Sequence, residues 1–186
     1  PFDDPKNLAM LLALPGHLVG LAQKPTLKPR TALLYLQSAV AIEILLFCPM
    51  RIGNLVNLDI EQHLRWIDDQ DGLRVIIDIP GEEVKNGKPL RYELKGRSAE
   101  LIRDYIDDAR KELSDEPTTA LFPKLDGGPK NPGDLSHQIK RHCLQETGLI
   151  VNAHLFRSLA SKIHNRVTKG DAATISYVLG DTIGTV

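Results

Sequence analysis

The segment from Arg30 to Phe47 constrains the fold of this chain more than any other. As a helix it would carry almost no polar stripe, since apolar side chains lie on nearly all of its sides. A helix that is apolar all round must be covered by other elements. Its continuous apolar part, Ala39–Phe47, contains Glu43 and is shorter than the roughly 18 residues that a membrane span requires. We therefore predict the central helix of a protein core, ending just before Pro49.

Apolar residues at helical spacing predict further helices on both sides of this segment. They are Leu8–Leu21, Ile52–Leu58, Ser98–Leu113, Asp134–Thr147, Ala153–Val167 and Asp171–Leu179. Gly148 directly follows one of them and is a typical helix stop. With 186 residues, the chain is long enough for one substantial core.

A different pattern occupies the middle of the chain. Leu73–Ile79 is rich in β-branched residues, Pro89–Leu94 alternates, and an Asn-Gly pair lies between them, which is typical of a β-hairpin. His63–Ile67 is predicted as a third strand, and Ala120–Phe122 is a candidate edge strand. The predicted fold class is mainly α with a small antiparallel β-sheet (α+β).

The formal net charge of −1 hides an uneven distribution of charge. Residues 59–83 contain eight acids and two bases, residues 84–97 five bases and one acid, and residues 136–169 six bases and one acid. Such blocks fit a protein with one electropositive face and an acidic back. They fit ordinary solvated helix faces as well, so charge alone does not establish a nucleic-acid binder.

Cysteine usage argues against metal or disulfide chemistry. Cys48 and Cys143 are the only cysteines, and they lie in unrelated contexts without a metal-binding spacing. A reduced pair in a cytosolic protein is the simpler interpretation. The sequence predicts no cofactor and no metal.

Three residues form a candidate anion site. His154 and Arg157 are three residues apart on a predicted helix, so they share one of its faces. Arg51 follows the long apolar helix at a turn, where we expect its side chain to point inward. Arginine holds phosphate oxygens in a fixed geometry, and histidine moves protons near neutral pH. We predict that these three side chains gather around a phosphate diester, although each also has a simpler interpretation as a capping or surface residue.

The order of an arginine turn at Arg51, a hairpin lysine at Lys85, His154-x-x-Arg157 and a late Leu-Gly-Asp turn at Asp181 resembles the catalytic domain of tyrosine recombinases, the phage-integrase family. The resemblance implies a site-specific recombinase or integrase that cuts and rejoins DNA strands through a 3′-phosphotyrosyl intermediate, independently of metal. It also implies double-stranded DNA as the partner and a homo-tetramer of the intact protein on DNA. It implies no membrane association and a cytoplasmic, nucleoid-associated location in a bacterium.

The same resemblance assigns a role to each matched residue. Arg51 and Arg157 would stabilise the non-bridging phosphate oxygens, and His154 would donate to the phosphate or relay a proton. Lys85 would protonate the 5′-oxygen leaving group, with Lys88 as a rival for that role.

The sequence also departs from the family pattern. Asn54 stands where the family commonly has glutamate, and Asp181 stands where it usually has histidine or tryptophan. We expect Asp181 to point away from the phosphate or to orient Arg157 or His154. The family nucleophile, a tyrosine, would lie beyond Val186. Residues 1–186 are therefore expected to be a single catalytic domain, truncated before its nucleophile, without the N-terminal DNA-clamping domain and inactive alone.

Basic residues outside the catalytic set are candidates for phosphate contacts. They are Lys88, Lys140, Arg141, Arg166 and Lys169. Asp134–Thr147 is the candidate helix for lying against the duplex, with Ser136, His137, Gln138, Lys140 and Arg141 able to reach base edges. A solvated helix face is an equally good interpretation of that segment.

Two other functions stay open from the sequence. One is a non-catalytic DNA-binding protein on a recombinase-like fold, which Asn54 and Asp181 favour. The other is a metal-free phosphate-handling enzyme with a covalent phosphohistidine at His154. The second leaves the hairpin lysine and the order of the helices unexplained.

Overall fold

Two long helices begin the chain in the computed structural model, which describes residues 4–152, 155–156 and 158–159. Helix α1 spans Pro5–Ala22 and α2 spans Pro29–Phe47. The elements that follow are α3 (Ile52–Val56), β1 (Leu64–Asp69), β2 (Gly72–Ile79), β3 (Leu90–Lys95), α4 (Arg97–Asp104) and α5 (Pro132–Thr147). The predicted fold class, mainly helical with a small antiparallel sheet, is confirmed.

Helix α2 is the core helix that its composition predicts. Every residue from Gln37 to Leu46 is buried, and the helix ends at Phe47, ahead of Pro49. Among the described helices, α2 is the one that is long and apolar enough to cross a membrane, judged by length and composition. The helix reaches back to Pro29 and so exceeds the apolar run that the sequence suggests. A buried helix of a protein core meets the same criterion, and the ten consecutive buried residues of α2 are those of a core helix.

The chain forms two compact units, and the first contains the long helices. Its described part comprises residues 4–52, 131–152, 155–156 and 158–159. Helices α1, α2 and α5 pack on one another. At the start of α5, the side chain of Asn131 accepts a hydrogen bond from the N–H of Gly133 at 2.8 Å. At its end, Gly148 adopts a left-handed conformation with φ 72°, which confirms the predicted helix stop.

The second unit, described over residues 53–130, contains the sheet. Its three strands are antiparallel in the order β1-β2-β3, as predicted. Ile77 pairs with Leu64 on one side and with Tyr92 on the other, and Val75 pairs with Leu94. Paired residues of antiparallel strands point to the same face, so these apolar side chains form the buried side of the sheet.

The region after β3 is less regular than the sequence predicts. One helix over Ser98–Leu113 is expected, whereas α4 passes into a π-helical turn at Tyr105–Ala109 and a 3₁₀ turn at Arg110–Leu113. Apolar spacing predicts that a segment is helical, but it does not distinguish these hydrogen-bond patterns.

The segment 118–122 is tied to its unit by hydrogen bonds from several directions. Ala120 forms an isolated β-bridge with Asp59, so the candidate edge strand is a single bridge. The hydroxyl of Tyr105 donates to a carbonyl of this segment at 3.0 Å. One guanidinium nitrogen of Arg110 donates to two of its carbonyls, at 2.8 and 3.1 Å. Side chains from the irregular helical region therefore hold this segment in place.

Asp59 links the same segment to the residues before β1. Its carboxylate accepts hydrogen bonds from the hydroxyl of Thr119 and from the N–H groups of Glu61 and Gln62. Burial opposes ionisation, but these hydrogen bonds and the nearby His63 outweigh it and lower the pKa of Asp59 below its ordinary value. Such a group stabilises the fold above its unfolded pKa, and the contribution is lost as pH falls through the lower folded pKa.

We expect Asp59→Asn to reduce the stability of the second unit at neutral pH, with a difference from the parent that shrinks as pH falls below about 4. The sole tryptophan, Trp66, lies in β1 and reports unfolding of this unit by fluorescence. Urea unfolding followed at several pH values measures the effect. Asp71→Asn, at an exposed acid between β1 and β2, serves as the control. A difference that is constant from pH 7 to pH 3 would contradict the assignment to Asp59 ionisation.

Candidate functional site

Arg51 lies on the short link between α2 and α3. The preceding residue, Met50, is buried, whereas Arg51 is exposed. Apolar Met50 takes the buried position at this turn, and the gathering of Arg51 with the other candidate residues stays a prediction. Within the described part of its own unit, Arg51 makes no hydrogen bond or ion pair.

Lys85 lies on the loop of residues 80–89 that joins β2 to β3. The loop is longer than the two-residue turn that an Asn-Gly pair favours. It begins with a 3₁₀ turn at Gly81–Glu83 and continues with a β-turn, in which the N–H of Gly87 donates to the carbonyl of Val84 at 2.8 Å. Lys85 and Lys88 are both exposed, so exposure does not separate the two candidates for the lysine role. Lys85 directly follows Val84, which is 5% exposed and fixes that side of the loop.

A small cavity of about 240 Å³ lies beside the start of this loop, in the second unit. Its lining residues are Asn54, Asn57, His63, Ile79 and Glu83. His63 is 4% exposed, and its Nδ1 accepts a hydrogen bond from the N–H of Asp59 at 2.9 Å. Since Nδ1 is an acceptor, the ring proton lies on Nε2, which is 3.1 Å from Oε2 of Glu83. This contact lies within ion-pair distance, although its geometry departs from that of a regular hydrogen bond.

Sequence reasoning missed the pair of His63 and Glu83. A glutamate two residues before the hairpin lysine was visible, but nothing in the sequence connects it to a histidine twenty positions earlier. Only the pairing of β1 with β2 brings the two close together.

Helix α5 presents part of the predicted DNA-binding set. Lys140 and Arg141 are exposed on it, together with His137 one turn earlier. Gln138, by contrast, is 7% exposed and points into the first unit. Its side-chain nitrogen lies 2.9 Å from Oγ of Ser38 and 3.1 Å from the carbonyl of Leu34. The prediction that Gln138 reaches base edges is wrong, because its side-chain amide is buried and bonded to groups inside the first unit.

The contacts of Gln138 belong to a buried polar network between α2 and α5. Ser38 Oγ also lies 2.8 Å from Nδ1 of His142, and Gln37 Oε1 lies 3.2 Å from the amide nitrogen of Gln138. The ring of His142 stacks on Tyr35 with 4.6 Å between ring centres. Buried polar groups are costly unless hydrogen-bonded, so these hydrogen bonds stabilise the core of the first unit.

The two cysteines are buried and have unreactive thiols. Burial raises the pKa of Cys143 to about 12. Burial and the nearby charge of Glu43 raise the pKa of Cys48 further above its ordinary value. The thiolate is the form that attacks and binds metals. Among residues 4–152 and the described positions that follow, no group of three or more His, Cys, Asp or Glu is placed to hold a metal ion.

Several predicted site residues lie outside the described residues. They are His154, Arg157, Arg166, Lys169 and Asp181. Nearby, Asn152 accepts a hydrogen bond through its side chain from the N–H of Leu155 at 3.0 Å, and Leu155, Phe156, Ser158 and Leu159 are helical. The predicted helix start after Asn152 agrees with this capping contact. The predicted gathering of Arg51, His154 and Arg157 stays a prediction.

The fold resembles that of a protein of known structure. A solved structure with a similar fold is the XerH site-specific recombinase bound to its difH substrate in a pre-cleavage complex. The TM-score is 0.59 and the sequence identity 19%, over 90% of this chain and 45% of that chain. The fold is thus that of a site-specific recombinase, and this chain spans less than half the length of the recombinase that it resembles.

The sequence defines the family. The model of the phage integrase family matches residues 24–180, and the chain belongs to this family. The predicted resemblance to tyrosine recombinases is confirmed at this level. No curated protein matches the chain.

Proposed function

We propose that residues 1–186 form the catalytic domain of a site-specific DNA recombinase that cuts and rejoins DNA strands. The observation that carries this proposal is the match to the phage integrase family over residues 24–180. Two local features support it. Arg51 and Lys85 each lie outside regular elements, at exposed positions that a phosphate backbone can reach.

The proposed chemistry is a metal-independent phosphoryl transfer. The hydroxyl of a tyrosine gives its proton to water or to His154 as its oxygen attacks the phosphorus, the bond from phosphorus to the 5′-oxygen breaks, and Lys85 gives its proton to that oxygen. Arg51 and Arg157 neutralise the charge that develops on the non-bridging oxygens. His154 donates to the phosphate or relays a proton. Asp181 orients His154 or Arg157, because a carboxylate facing the phosphate would be repelled.

Two of the three described tyrosines are engaged inside the fold and so are not suited to the nucleophilic role. Tyr105 is buried and donates to a backbone carbonyl, and Tyr35 stacks on a buried histidine. We propose that the nucleophile is a tyrosine beyond Asp181, as in the family. Residues 1–186 alone are then expected to bind DNA without cutting it.

The proposed partner is double-stranded DNA, which the similar XerH recombinase binds in its complex. The protein would act as a homo-tetramer on DNA, in the cytoplasm and at the bacterial nucleoid. Lys88, Lys140, Arg141, Arg166 and Lys169 would make the backbone contacts.

Trapping a covalent complex tests this function. The protein as encoded by its gene is incubated with a nicked duplex, whose sequence is first selected by binding from a random library. We expect a DNA adduct that resists denaturant and disappears on protease treatment, with the 3′ end of the cut strand blocked. Tight binding without any adduct would instead support a non-catalytic DNA-binding protein, the alternative that Asn54 and Asp181 favour.

Exposed bases on α5 give a separate prediction about binding. The double variant Lys140→Ala/Arg141→Ala should reduce the slope of log binding constant against log salt concentration by about 2, because each phosphate contact contributes about 0.9. Fluorescence anisotropy with a labelled duplex at several salt concentrations measures this slope.

Lys111→Ala is the control for that measurement. Lys111 is exposed like Lys140 but lies among the acidic residues Asp107, Asp108 and Glu112. The salt dependence of DNA binding by Lys111→Ala should have the same slope as that of the parent protein. An unchanged slope in the α5 double variant would show that this helix is an ordinary solvated surface.

A further inference from the structure

The loop that carries Lys85 has few connections to the rest of its unit. Its backbone hydrogen bonds are local, from Glu83 to Pro80, from Val84 to Gly81 and from Gly87 to Val84. Among the described residues, the 3.1 Å approach of Oε2 of Glu83 to Nε2 of His63 is the one close polar side-chain contact that joins the loop to a residue outside it. The position of this loop therefore depends on that contact and on the burial of Val84.

His63 is a rigid partner for this contact. Its ring accepts from the N–H of Asp59, its own N–H donates to the carbonyl of Asp59, and its carbonyl accepts from the N–H of Asp78 in β2. With both backbone groups and Nδ1 engaged, the ring has one remaining polar atom, Nε2, and this atom faces Glu83. A buried ring held in this way fixes where the carboxylate can sit.

The loop transmits this position to Lys85 as a compact unit. Its two arms touch at Gly81, where an added Cβ would lie 2.6 Å from the carbonyl oxygen of Gly87. Lys85 lies between these contact points, two residues after Glu83 and directly after the buried Val84. A shift of Glu83 therefore moves the backbone that presents the lysine.

We propose that Glu83 and His63 are positioning residues that hold Lys85 where it protonates the leaving oxygen. This inference rests on the proposed function, in which Lys85 is that acid. Neither residue touches the DNA in this role. The carboxylate of Glu83 is held by His63 and so kept from approaching the phosphate, which it would repel.

The test uses the chemistry of the leaving group. In an ordinary substrate the leaving 5′-oxygen needs a proton, whereas in a duplex with sulfur at that bridging position the thiolate leaves without one. Cleavage rates are measured on both substrates for the protein as encoded by its gene and for its variants. If Lys85 is displaced, cleavage of the oxygen substrate slows and cleavage of the sulfur substrate does not. If the fold is damaged, cleavage of both substrates slows.

Two variants break the contact in different ways. Glu83→Ala removes a carboxylate that is 42% exposed, so folding is not at stake. In His63→Asn, the side-chain oxygen takes the place of Nδ1 and still accepts from the N–H of Asp59. The shorter asparagine side chain has no atom in the place of Nε2 and so cannot contact Glu83. We expect each to slow cleavage of the oxygen substrate by about 10- to 100-fold, the cost of a small misplacement, and to cleave the sulfur substrate at the parent rate. Glu83→Gln, which keeps an oxygen able to lie beside Nε2 of His63, should retain most of the activity.

The controls separate failure of this inference from failure of the proposed function. Glu82→Ala removes the adjacent exposed acid and should leave both rates unchanged. Lys85→Ala should slow the oxygen substrate and be rescued by sulfur. If Lys85→Ala behaves so but Glu83→Ala and His63→Asn show no loss, or equal loss on both substrates, the positioning role is overturned while the lysine role stands. If sulfur does not rescue Lys85→Ala, the lysine role itself is overturned, and the positioning role with it.

Discussion

Replacing Arg51 with alanine is expected to lower the rate of DNA strand cleavage by about 10²–10³, the usual cost of removing one fixed donor to a developing oxyanion. Arg51 is exposed between α2 and α3 and has no hydrogen bond or ion pair within the described part of its unit. Its removal therefore leaves no buried partner unsatisfied among the described residues, and the melting temperature should stay within about a degree of the parent, as for other surface changes. Single-turnover cleavage of the selected duplex and a thermal melt measure the two quantities.

Two further variants make this prediction specific. Arg51→Lys keeps the charge but loses the planar fork, so a loss of cleavage close to that of alanine is expected. Arg30→Ala removes another exposed arginine of the same unit, at the start of α2, and should cleave at the parent rate. If Arg51→Ala cleaves normally, or if it fails only because the protein unfolds, Arg51 is not the first arginine of a recombinase site.

Replacing Arg110 with methionine is expected to destabilise the second unit by about 1.5–3 kcal/mol, the range for hydrogen bonds made by a charged group. Arg110 is 5% exposed, and its guanidinium group donates to the carbonyls of Thr118 and Ala120. Methionine fills a similar volume but leaves both carbonyls without this donor. Urea unfolding followed by Trp66 fluorescence gives the free energy of unfolding.

Lys111→Met is the matched control for Arg110, since it is the next residue and is exposed. A change within about 0.5 kcal/mol is expected there, as for most surface substitutions. Should Arg110→Met also fall within that range, the segment 118–122 would be held by Tyr105 and Asp59 without help from the guanidinium group.

Local patterns predict the regular elements of this protein well. The bounds of α2, the three antiparallel strands and the stop at Gly148 follow from apolar composition, alternation and glycine. The position of Lys85 between two strands follows from the same alternation. These features depend on residues close together in sequence, so periodicity and propensity are enough to predict them.

Polar side chains are harder to predict, because the sequence does not say which of them are buried. Gln138 and His137 are neighbours on α5, yet one is buried against Ser38 and the other is exposed. Met50 and Arg51 are neighbours after α2, yet Met50 is buried and Arg51 is exposed. In each case the outcome depends on which neighbours cover the side chain.

The amino-acid sequence by itself determined the fold class, the family and the identity of the candidate catalytic side chains, since each of these depends on local order along the chain. The tertiary structure alone decided that His63 meets Glu83 beside the lysine loop and that Arg110 supports a segment eight residues later. These contacts join residues through strand pairing and burial. Such polar contacts stabilise the fold only once folding has excluded water around them. The pattern of residues along the sequence does not predict which side chains are buried together.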